Sequence, residues 1–271
     1  MNLFLPFAQA IGILGGLGLV FGGLLAFAAT KFRVDIDPLI EQVTALLPGA
    51  NCGGCGYPGC SGLACAMVQQ GVSLSTCPVM KEENRKRIGE LLGRDAGSAV
   101  AKVAFVRCGG LPGEEYEKFE YKGISGCQAA VLIAHGNKLC PHRCLGMGSC
   151  EKACPFGAIT MGDDELPIID DDKCTACGKC VPACPKGLIL LTDKTKRTRV
   201  RCNSPEKGAD VRKVCKVGCI GCRLCEKACK YGAVIIENNL ARIDPEKCVE
   251  CGACVAKCPQ KTIVLGTNPP A

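Results

Sequence analysis

Residues 174–185 read C-T-A-C-G-K-C-V-P-A-C-P, and residues 248–259 repeat the pattern as C-V-E-C-G-A-C-V-A-K-C-P. This C-x2-C-x2-C-x3-C-P spacing is typical of the ligands to paired [4Fe–4S] clusters. Three close cysteines hold one cluster from a loop, and the fourth, on the short helix that follows, reaches the other cluster of the pair. Each run therefore predicts a compact module that is held together by two clusters.

The two runs belong to a duplication with a period of about 75 residues. Cys144, Cys150 and Cys154 precede the first run as Cys219, Cys225 and Cys229 precede the second. The second copy predicts two ligand sets, which are Cys219, Cys222, Cys225 and Cys258, and Cys229, Cys248, Cys251 and Cys254. The first copy predicts one set by the same rule, which is Cys154, Cys174, Cys177 and Cys180.

The other set of the first copy lacks a ligand. Cys144, Cys150 and Cys184 are present, but the repeat has Met147 where the second copy has Cys222. The missing ligand must come from elsewhere, and Cys140 is the nearest in sequence. A sixth cluster is then predicted from the cysteines that remain, unless they are buried thiols left by the duplication: Cys108, Cys127, Cys202 and Cys215.

A separate cysteine motif precedes the duplication. N-C-G-G-C-G-Y-P-G-C at 51–60 supplies Cys52, Cys55 and Cys60, and Cys77 follows. The glycines permit the positive φ angles with which a loop wraps a cluster. Four cysteines could also bind zinc, but the pattern favours [4Fe–4S]. Cys65 lies on a predicted helix over 61–70 and is interpreted as a small core residue. Residues 81–93 predict a solvated helix that closes this module.

The N-terminal segment predicts a membrane anchor. Residues 10–29 are uncharged and mostly apolar, which is enough to span ~30 Å of hydrocarbon. Lys31 and Arg33 follow at once, so the positive-inside rule places the rest of the chain in the cytoplasm. A cleaved signal peptide is the alternative, but the basic N-terminal region it needs is missing. Two G-x-x-x-G spacings, Gly12/Gly16 and Gly18/Gly22, suit close packing of a partner helix.

Composition supports the metal interpretation and excludes others. The chain has 25 cysteines but only 4% aromatic residues and no Trp, so metal–ligand bonds must compensate for a weak core. The odd number and close spacing of the cysteines argue against a disulfide scaffold. The formal charge of +7 ignores thiolates. Five clusters at −2 each would change it to about −3, and six to about −5, so a nucleic-acid partner is not expected.

Two further features are less specific. His142, in C-P-H-R-C, could be a ligand but is interpreted as a loop residue. The basic run between the two copies would steer an acidic ferredoxin towards the clusters, unless it is only a solvated hairpin: Lys194, Lys196, Arg197, Arg199 and Arg201.

These patterns together predict an α+β chain with a single N-terminal transmembrane helix, a small α-rich [4Fe–4S] module and two tandem ferredoxin-like 2[4Fe–4S] modules. The expected boundaries are 1–30 for the anchor, 34–93 for the four-Cys module, 101–193 for the first ferredoxin-like module and 194–271 for the second.

This order of anchor, C-x2-C-x4-C-x16-C module and ferredoxin repeats resembles the B subunit of the Rnf complex, in its longer form. The resemblance implies a non-catalytic subunit of an ion-translocating ferredoxin:NAD oxidoreductase. Such a subunit takes electrons from reduced ferredoxin and passes them through [4Fe–4S] clusters to membrane partners that carry flavins. The chain itself has no G-x-G-x-x-G fingerprint. The alternatives are an electron-feeding subunit of a membrane hydrogenase and a structural or sensory iron–sulfur protein.

Overall fold

The computed structural model describes residues 4–32, 37–97 and 100–266. The chain divides into two compact units, Met1–Gln42 and Val43–Ala271. The four domain boundaries expected from the sequence therefore stay predictions. Arg33, which entered the orientation argument, lies outside the described residues.

The first unit is dominated by helix α1, Phe4–Lys31, which is 28 residues long. Within the described residues, its segment Ile11–Lys31 is the one helix long and apolar enough to cross a membrane. Apolar side chains such as Ile11, Leu14 and Leu25 are about 70% exposed, as expected of a helix whose natural surroundings are lipid or partner helices.

Three helices occur along the segment predicted as the four-Cys module: α2, Pro38–Leu46; α3, Gly59–Gln69; and α4, Glu82–Leu92. The Asp37 carboxylate caps α2 by accepting a hydrogen bond from the Leu39 amide at 2.9 Å. Leu63, Met67 and Ile88 are almost fully buried. The charged sequence of α4 predicts a solvated helix. The structure differs in part, because Ile88 and Arg85 of this helix are buried in the core.

The first repeat copy follows from β1 to β4. Its elements are β1, Lys102–Val106; α5, Cys127–Val131; α6, Ser149–Lys152; β2, Ile159–Met161; β3, Pro167–Ile169; α7, Cys180–Ala183; and β4, Ile189–Asp193. Strands β1 and β4 pair antiparallel with Val106 opposite Ile189, and so join the two ends of the copy. Strands β2 and β3 form an antiparallel hairpin.

The second copy repeats this arrangement. Its elements are β5, Thr198–Val200; α8, Gly208–Val214; α9, Leu224–Ala228; β6, Val234–Glu237; β7, Leu240–Ile243; α10, Ala253–Lys257; and β8, Ile263–Leu265. Strand β5 pairs with β8, and β6 with β7. Even a side-chain contact recurs: Glu151 accepts from the Met161 amide at 3.2 Å, and Glu226 from the Ile236 amide at 3.3 Å.

Cysteines are part of both cores. In the first copy, Cys108, Cys150 and Cys180 are buried together with aliphatic residues of all four strands. The core of the second copy likewise contains buried cysteines among aliphatic residues of its strands: Cys202, Cys219, Cys225 and Cys254. Many of the thiols that the sequence singles out therefore lie within the protein cores, where the strands and short helices converge.

Candidate metal centres

The second copy brings its eight cysteines together in two groups of four. Site 5 is defined as the cavity lined by Cys219, Cys222, Cys225 and Cys258. Site 6 is the cavity lined by Cys229, Cys248, Cys251 and Cys254. These are the two sets predicted from the spacing, including the exchange of Cys229 and Cys258 between sites.

Two more groups agree with the sequence. Site 2 comprises Cys154, Cys174, Cys177 and Cys180: after burial, thiol neighbours of this set contribute to the raised pKa of Cys177 and Cys180. At site 1, Cys55 and Cys60 likewise contribute, after burial, to the raised pKa of Cys77, and Cys52 is the fourth ligand that the sequence predicts. The Asn51 side chain holds the loop of site 1 by accepting from the Cys60 amide at 2.8 Å.

Site 3 differs from the prediction. Its cavity is lined by Cys127, Cys144, Cys150 and Cys184, so Cys127 and not Cys140 completes the set. Cys127 is the first residue of α5, and its amide donates to the Ser149 hydroxyl at 2.9 Å, which fastens α5 to the start of α6, the helix that carries Cys150. Proximity in sequence favours Cys140 as the missing ligand, whereas the structure places Cys127 beside the other three thiols.

The loop around Met147 keeps the backbone shape of a ligand loop although the thiol is missing. Gly146 and Gly148 have φ angles of +75° and +68°, close to the +63° and +61° of Gly221 and Arg223, which flank Cys222 in the other copy. The Met147 side chain packs against the cluster formed by Cys127, Ala130 and Leu145. The two copies thus share the shape of this loop, and α5 supplies the fourth thiol of site 3.

Site 4 is defined by Cys108, Cys140, Cys202 and Cys215, which line one cavity. The predicted sixth set therefore gains Cys140 and loses Cys127. Each copy contributes two of its thiols: Cys108 and Cys202 stand two residues beyond the equivalent strands β1 and β5. Site 4 lies where the two copies meet.

The sites follow one another through neighbouring thiols. Beyond the effect of burial, Cys52 of site 1 contributes to the raised pKa of Cys177 in site 2, and Cys150 of site 3 to that of Cys180 in site 2. In the same way Cys108 of site 4 contributes to the raised pKa of Cys144 in site 3. Cys219 of site 5 contributes to the raised pKa of Cys202 in site 4. These neighbours link sites 1 to 5 in order, and α9, which carries Cys225 of site 5, packs against α10, which carries Cys254 of site 6.

Backbone amides point at several of the sulfurs. Three sulfurs accept a hydrogen bond from the amide four residues further along the chain: Cys154 from Ala158 at 3.4 Å, Cys184 from Leu188 at 3.4 Å and Cys229 from Ala233 at 3.3 Å. Hydrogen bonds of this kind stabilise a thiolate and tune the reduction potential of a cluster that it ligates.

The donor sets fit iron–sulfur clusters. Four thiols are the ligand set of a [4Fe–4S] cluster. Burial raises the pKa of Cys140, Cys150 and Cys225 to about 11 and that of Cys180 to about 12. Ligands must be deprotonated, so filling these sites releases protons. Among the described residues, no three His, Cys, Asp or Glu side chains are grouped to hold a single metal ion.

Two candidates, Cys65 and His142, are not among the thiols assigned to the six sites. The Cys65 thiol donates to Gln69 Oε1 at 3.2 Å within α3. His142 lines the cavity of site 4, and its Nε2 lies 3.3 Å from Glu206 Oε1.

The basic run does not form the exposed patch that one interpretation of the sequence predicts. Arg199 is buried, with its guanidinium 5.1 Å from the centre of the Phe105 ring. The Lys194 ammonium lies 3.1 Å from Asp172, and Lys196 donates to the Cys248 carbonyl. Most of the run is therefore engaged in contacts within the protein.

Family models cover the site-bearing parts of the chain. A model of an Fe-S cluster family matches residues 47–79. A model described as a 4Fe-4S dicluster domain matches 143–188 and 173–233, and a second of the same description matches 218–263. The predicted fold class is confirmed: one apolar N-terminal helix, an iron–sulfur module and tandem 4Fe–4S domains of the ferredoxin type.

Curated relatives align along nearly the whole chain. The B subunit of an ion-translocating oxidoreductase complex of Methanosarcina acetivorans is 46% identical, over 95% of this chain and 97% of the relative. The B subunit of an Acetobacterium woodii Na(+)-translocating ferredoxin:NAD(+) oxidoreductase complex is 46% identical, over 93% and 76%. The B subunit of a Clostridium ljungdahlii proton-translocating ferredoxin:NAD(+) oxidoreductase complex is 44% identical, over 93% and 91%.

Proposed function

Since the chain belongs to the family of B subunits of ion-translocating ferredoxin:NAD oxidoreductase complexes, we propose that it relays single electrons from soluble reduced ferredoxin to membrane partners through six cluster sites. It is an iron–sulfur electron-transfer subunit that carries [4Fe–4S] clusters. The observation that supports the proposal is this succession of neighbouring thiol groups, which leaves only Cys65 of the 25 cysteines outside the six proposed sites.

The chain's own residues supply ligands, spacing and environment. When bound, each [4Fe–4S] cluster supplies a one-electron redox centre. The thiolates fix where these centres stand, and the short loops bring each group next to the following one. The backbone amides at Cys154, Cys184 and Cys229 set the local electrostatics without exchanging a proton.

Exposure suggests where electrons enter. The ligands Cys222 of site 5 and Cys251 of site 6 are exposed, whereas the thiols of site 4 are buried or half-buried. A soluble donor reaches sites 5 and 6 most directly. Site 1 is at the other end of the series and follows the anchor helix in the chain, so we assign it the role of exit towards membrane partners.

The anchor supports the orientation and the partners. The chain is membrane-associated through α1, and Lys31 ends that helix where the chain continues to the cluster sites, so the positive-inside rule favours the cytoplasmic side for them. Gly12, Gly16, Gly18 and Gly22 have open space where a Cβ would stand. A helix of another subunit can therefore approach α1 closely along these glycines.

Iron analysis tests the proposal. The full chain, reconstituted without oxygen, should hold about 24 iron atoms, four for each of six sites. About 8 iron atoms, or zinc in their place, would contradict the proposed function.

Paired variants test the ligand sets of sites 3 and 4. Cys127→Ala should remove the same electron paramagnetic resonance (EPR) signal as Cys150→Ala, and Cys140→Ala the same signal as Cys202→Ala. If Cys140→Ala instead removed the signal lost in Cys150→Ala, and Cys127→Ala the signal lost in Cys202→Ala, the assignment expected from the sequence would be right and the one drawn from the structure wrong.

A further inference from the structure

Site 4 is surrounded by arginines. Arg107, Arg143 and Arg201 all line its cavity. The cavities of sites 3, 5 and 6 have no arginine in their linings among the described residues, and Lys186 at site 3 is their single basic residue. Positive charge is therefore concentrated at the junction between the two copies.

The duplication explains two of the three positions. Arg107 and Arg201 belong to equivalent V-R-C segments, 106–108 and 200–202, each directly after the strand that opens its copy. Arg143 comes from the loop between Cys140 and Cys144. Its side chain fills the space beside Gly110, where a Cβ would stand 2.9 Å from Arg143 Nε.

Several guanidinium nitrogens of Arg107 and Arg143 lack a hydrogen-bond partner among the described residues, although Arg107 Nη2 donates to the Gly187 carbonyl at 3.1 Å. Arg143 is only 4% exposed, and neither its Nε nor its Nη2 has a hydrogen-bond partner among the described residues; Arg107 Nε also has none. The carboxylate that pairs with Arg143 is that of Glu165 at 3.9 Å, which already binds Lys138 at 2.6 Å. A buried cation without an anion is costly, so these groups indicate an anionic neighbour.

An iron–sulfur cluster with four thiolates is such an anion. It carries about −2 when oxidised and about −3 when reduced, and nearby buried cations stabilise the more negative state. Arg107 interacts with the Cys202 thiol, and Arg143 and Arg201 with the Cys108 thiol. A full charge acts more strongly than the neutral amides that serve the other sites.

We propose that Arg107, Arg143 and Arg201 are positioning residues that raise the reduction potential of site 4 above those of sites 3, 5 and 6, so that an electron rests at the junction of the two copies. The inference rests on the proposed function, because it requires site 4 to hold a cluster. It gives the relay a place to retain one electron until the next step is possible.

Redox-poised EPR spectroscopy of the reconstituted full chain tests this. The signal of site 4 is identified as the one missing in Cys202→Ala. Arg143→Gln and Arg201→Gln should each lower the reduced-to-oxidised ratio of site 4 at a fixed potential at least about tenfold, which is ~59 mV for one electron. Arg143→Lys should retain most of the wild-type ratio. Arg212→Gln, an exposed arginine on α8, changes the net charge equally and should have no such effect.

The outcomes separate the inference from its premise. If site 4 holds a cluster but its potential is unchanged in both Gln variants, or is lower than those of sites 3, 5 and 6 in the wild type, the arginine inference is wrong. If Cys202→Ala removes no cluster, the six-site function fails first. Should Arg143→Gln lose iron, Arg201→Gln, whose side chain is half-exposed, decides the matter on its own.

Discussion

At site 3 the fourth thiol comes from a separate helix and not from the loop. Met147 occupies the place of the third loop cysteine, and Cys127 enters from the start of α5. The Met147 thioether is a weak ligand but packs well, and it contacts the same small cluster as Cys127. The loop thus exchanged a thiol for a hydrophobic contact without changing its backbone.

Cys65 should be dispensable. Its thiol makes one weak hydrogen bond, to Gln69 within α3, and lies outside the six sites. Cys65→Ala should leave the iron content unchanged and alter the free energy of unfolding by less than about 1 kcal/mol. Iron analysis and chemical denaturation measure both, and a loss of about four iron atoms would instead make Cys65 a ligand.

The sequence predicted the thiol groups most directly where the cysteines lie close together in the chain. Cys174, Cys177 and Cys180 are three residues apart, so their loop defines site 2 without knowledge of the fold. Cys127 and Cys140 could not be assigned, because segment 107–139 has no full counterpart in the second copy and its path depends on packing. The one local clue was Gly126-Cys127 at the start of a short helix, which spacing rules do not recognise.

The helices that carry ligands are too short to be stable alone. Helices α6, α7, α9 and α10 have four or five residues, far below the length at which an isolated helix persists in water. Each carries a buried cysteine, and α9 packs against α10. These elements depend on the packing of their thiols, so cluster binding and folding are coupled in each copy.

Exposed lysines lie on or next to helices α9 and α10, whereas most side chains of the basic run are engaged in contacts within the protein. Lys227, Lys230 and Lys257 are on or next to these helices, close in sequence to ligands of sites 5 and 6. Changing all three to Glu should slow reduction by an acidic ferredoxin about tenfold or more at low salt, because steering acts on the association rate. Stopped-flow kinetics across a salt series measures this, and the difference should shrink as ionic strength rises.

A matched variant controls for the total charge. Lys81→Glu, Lys86→Glu and Arg87→Glu reverse three exposed charges at or on α4, outside the second copy. These three changes should leave the rate of reduction by ferredoxin nearly unchanged. With a small artificial reductant in place of ferredoxin, both triple variants should be reduced at nearly the wild-type rate. Equal slowing by both triple variants would mean that net charge, and not docking at sites 5 and 6, controls the reaction.

The six sites behave as one line only if site 4 is intact, because it joins the two copies. The double variant Cys202→Ala, Cys215→Ala should retain about 20 iron atoms and still accept electrons rapidly at sites 5 and 6. Reduction of sites 1 to 3 by ferredoxin should become much slower than in Cys65→Ala, which serves as the matched control. Rapid-freeze EPR follows both phases, and equally fast reduction of all sites would contradict a single line.

At this scale the sequence predicted the parts and their order but not how the parts connect. The anchor, the four-Cys module and the two copies follow from local patterns and from the duplication. The junction does not, because Cys108, Cys140, Cys202 and Cys215 come from four separate stretches and meet only when the copies pack together.

Site 4 also has an internal symmetry. Cys108 is the repeat counterpart of Cys202, and Cys140 of Cys215, so each copy contributes the same half of one ligand set. This is the arrangement of an isologous dimer interface, in which one surface meets an equivalent surface across a twofold axis. An ancestor with a single copy would have carried half a site and could complete it only by pairing with a second molecule. Gene fusion would then have turned that meeting of two molecules into a permanent internal joint.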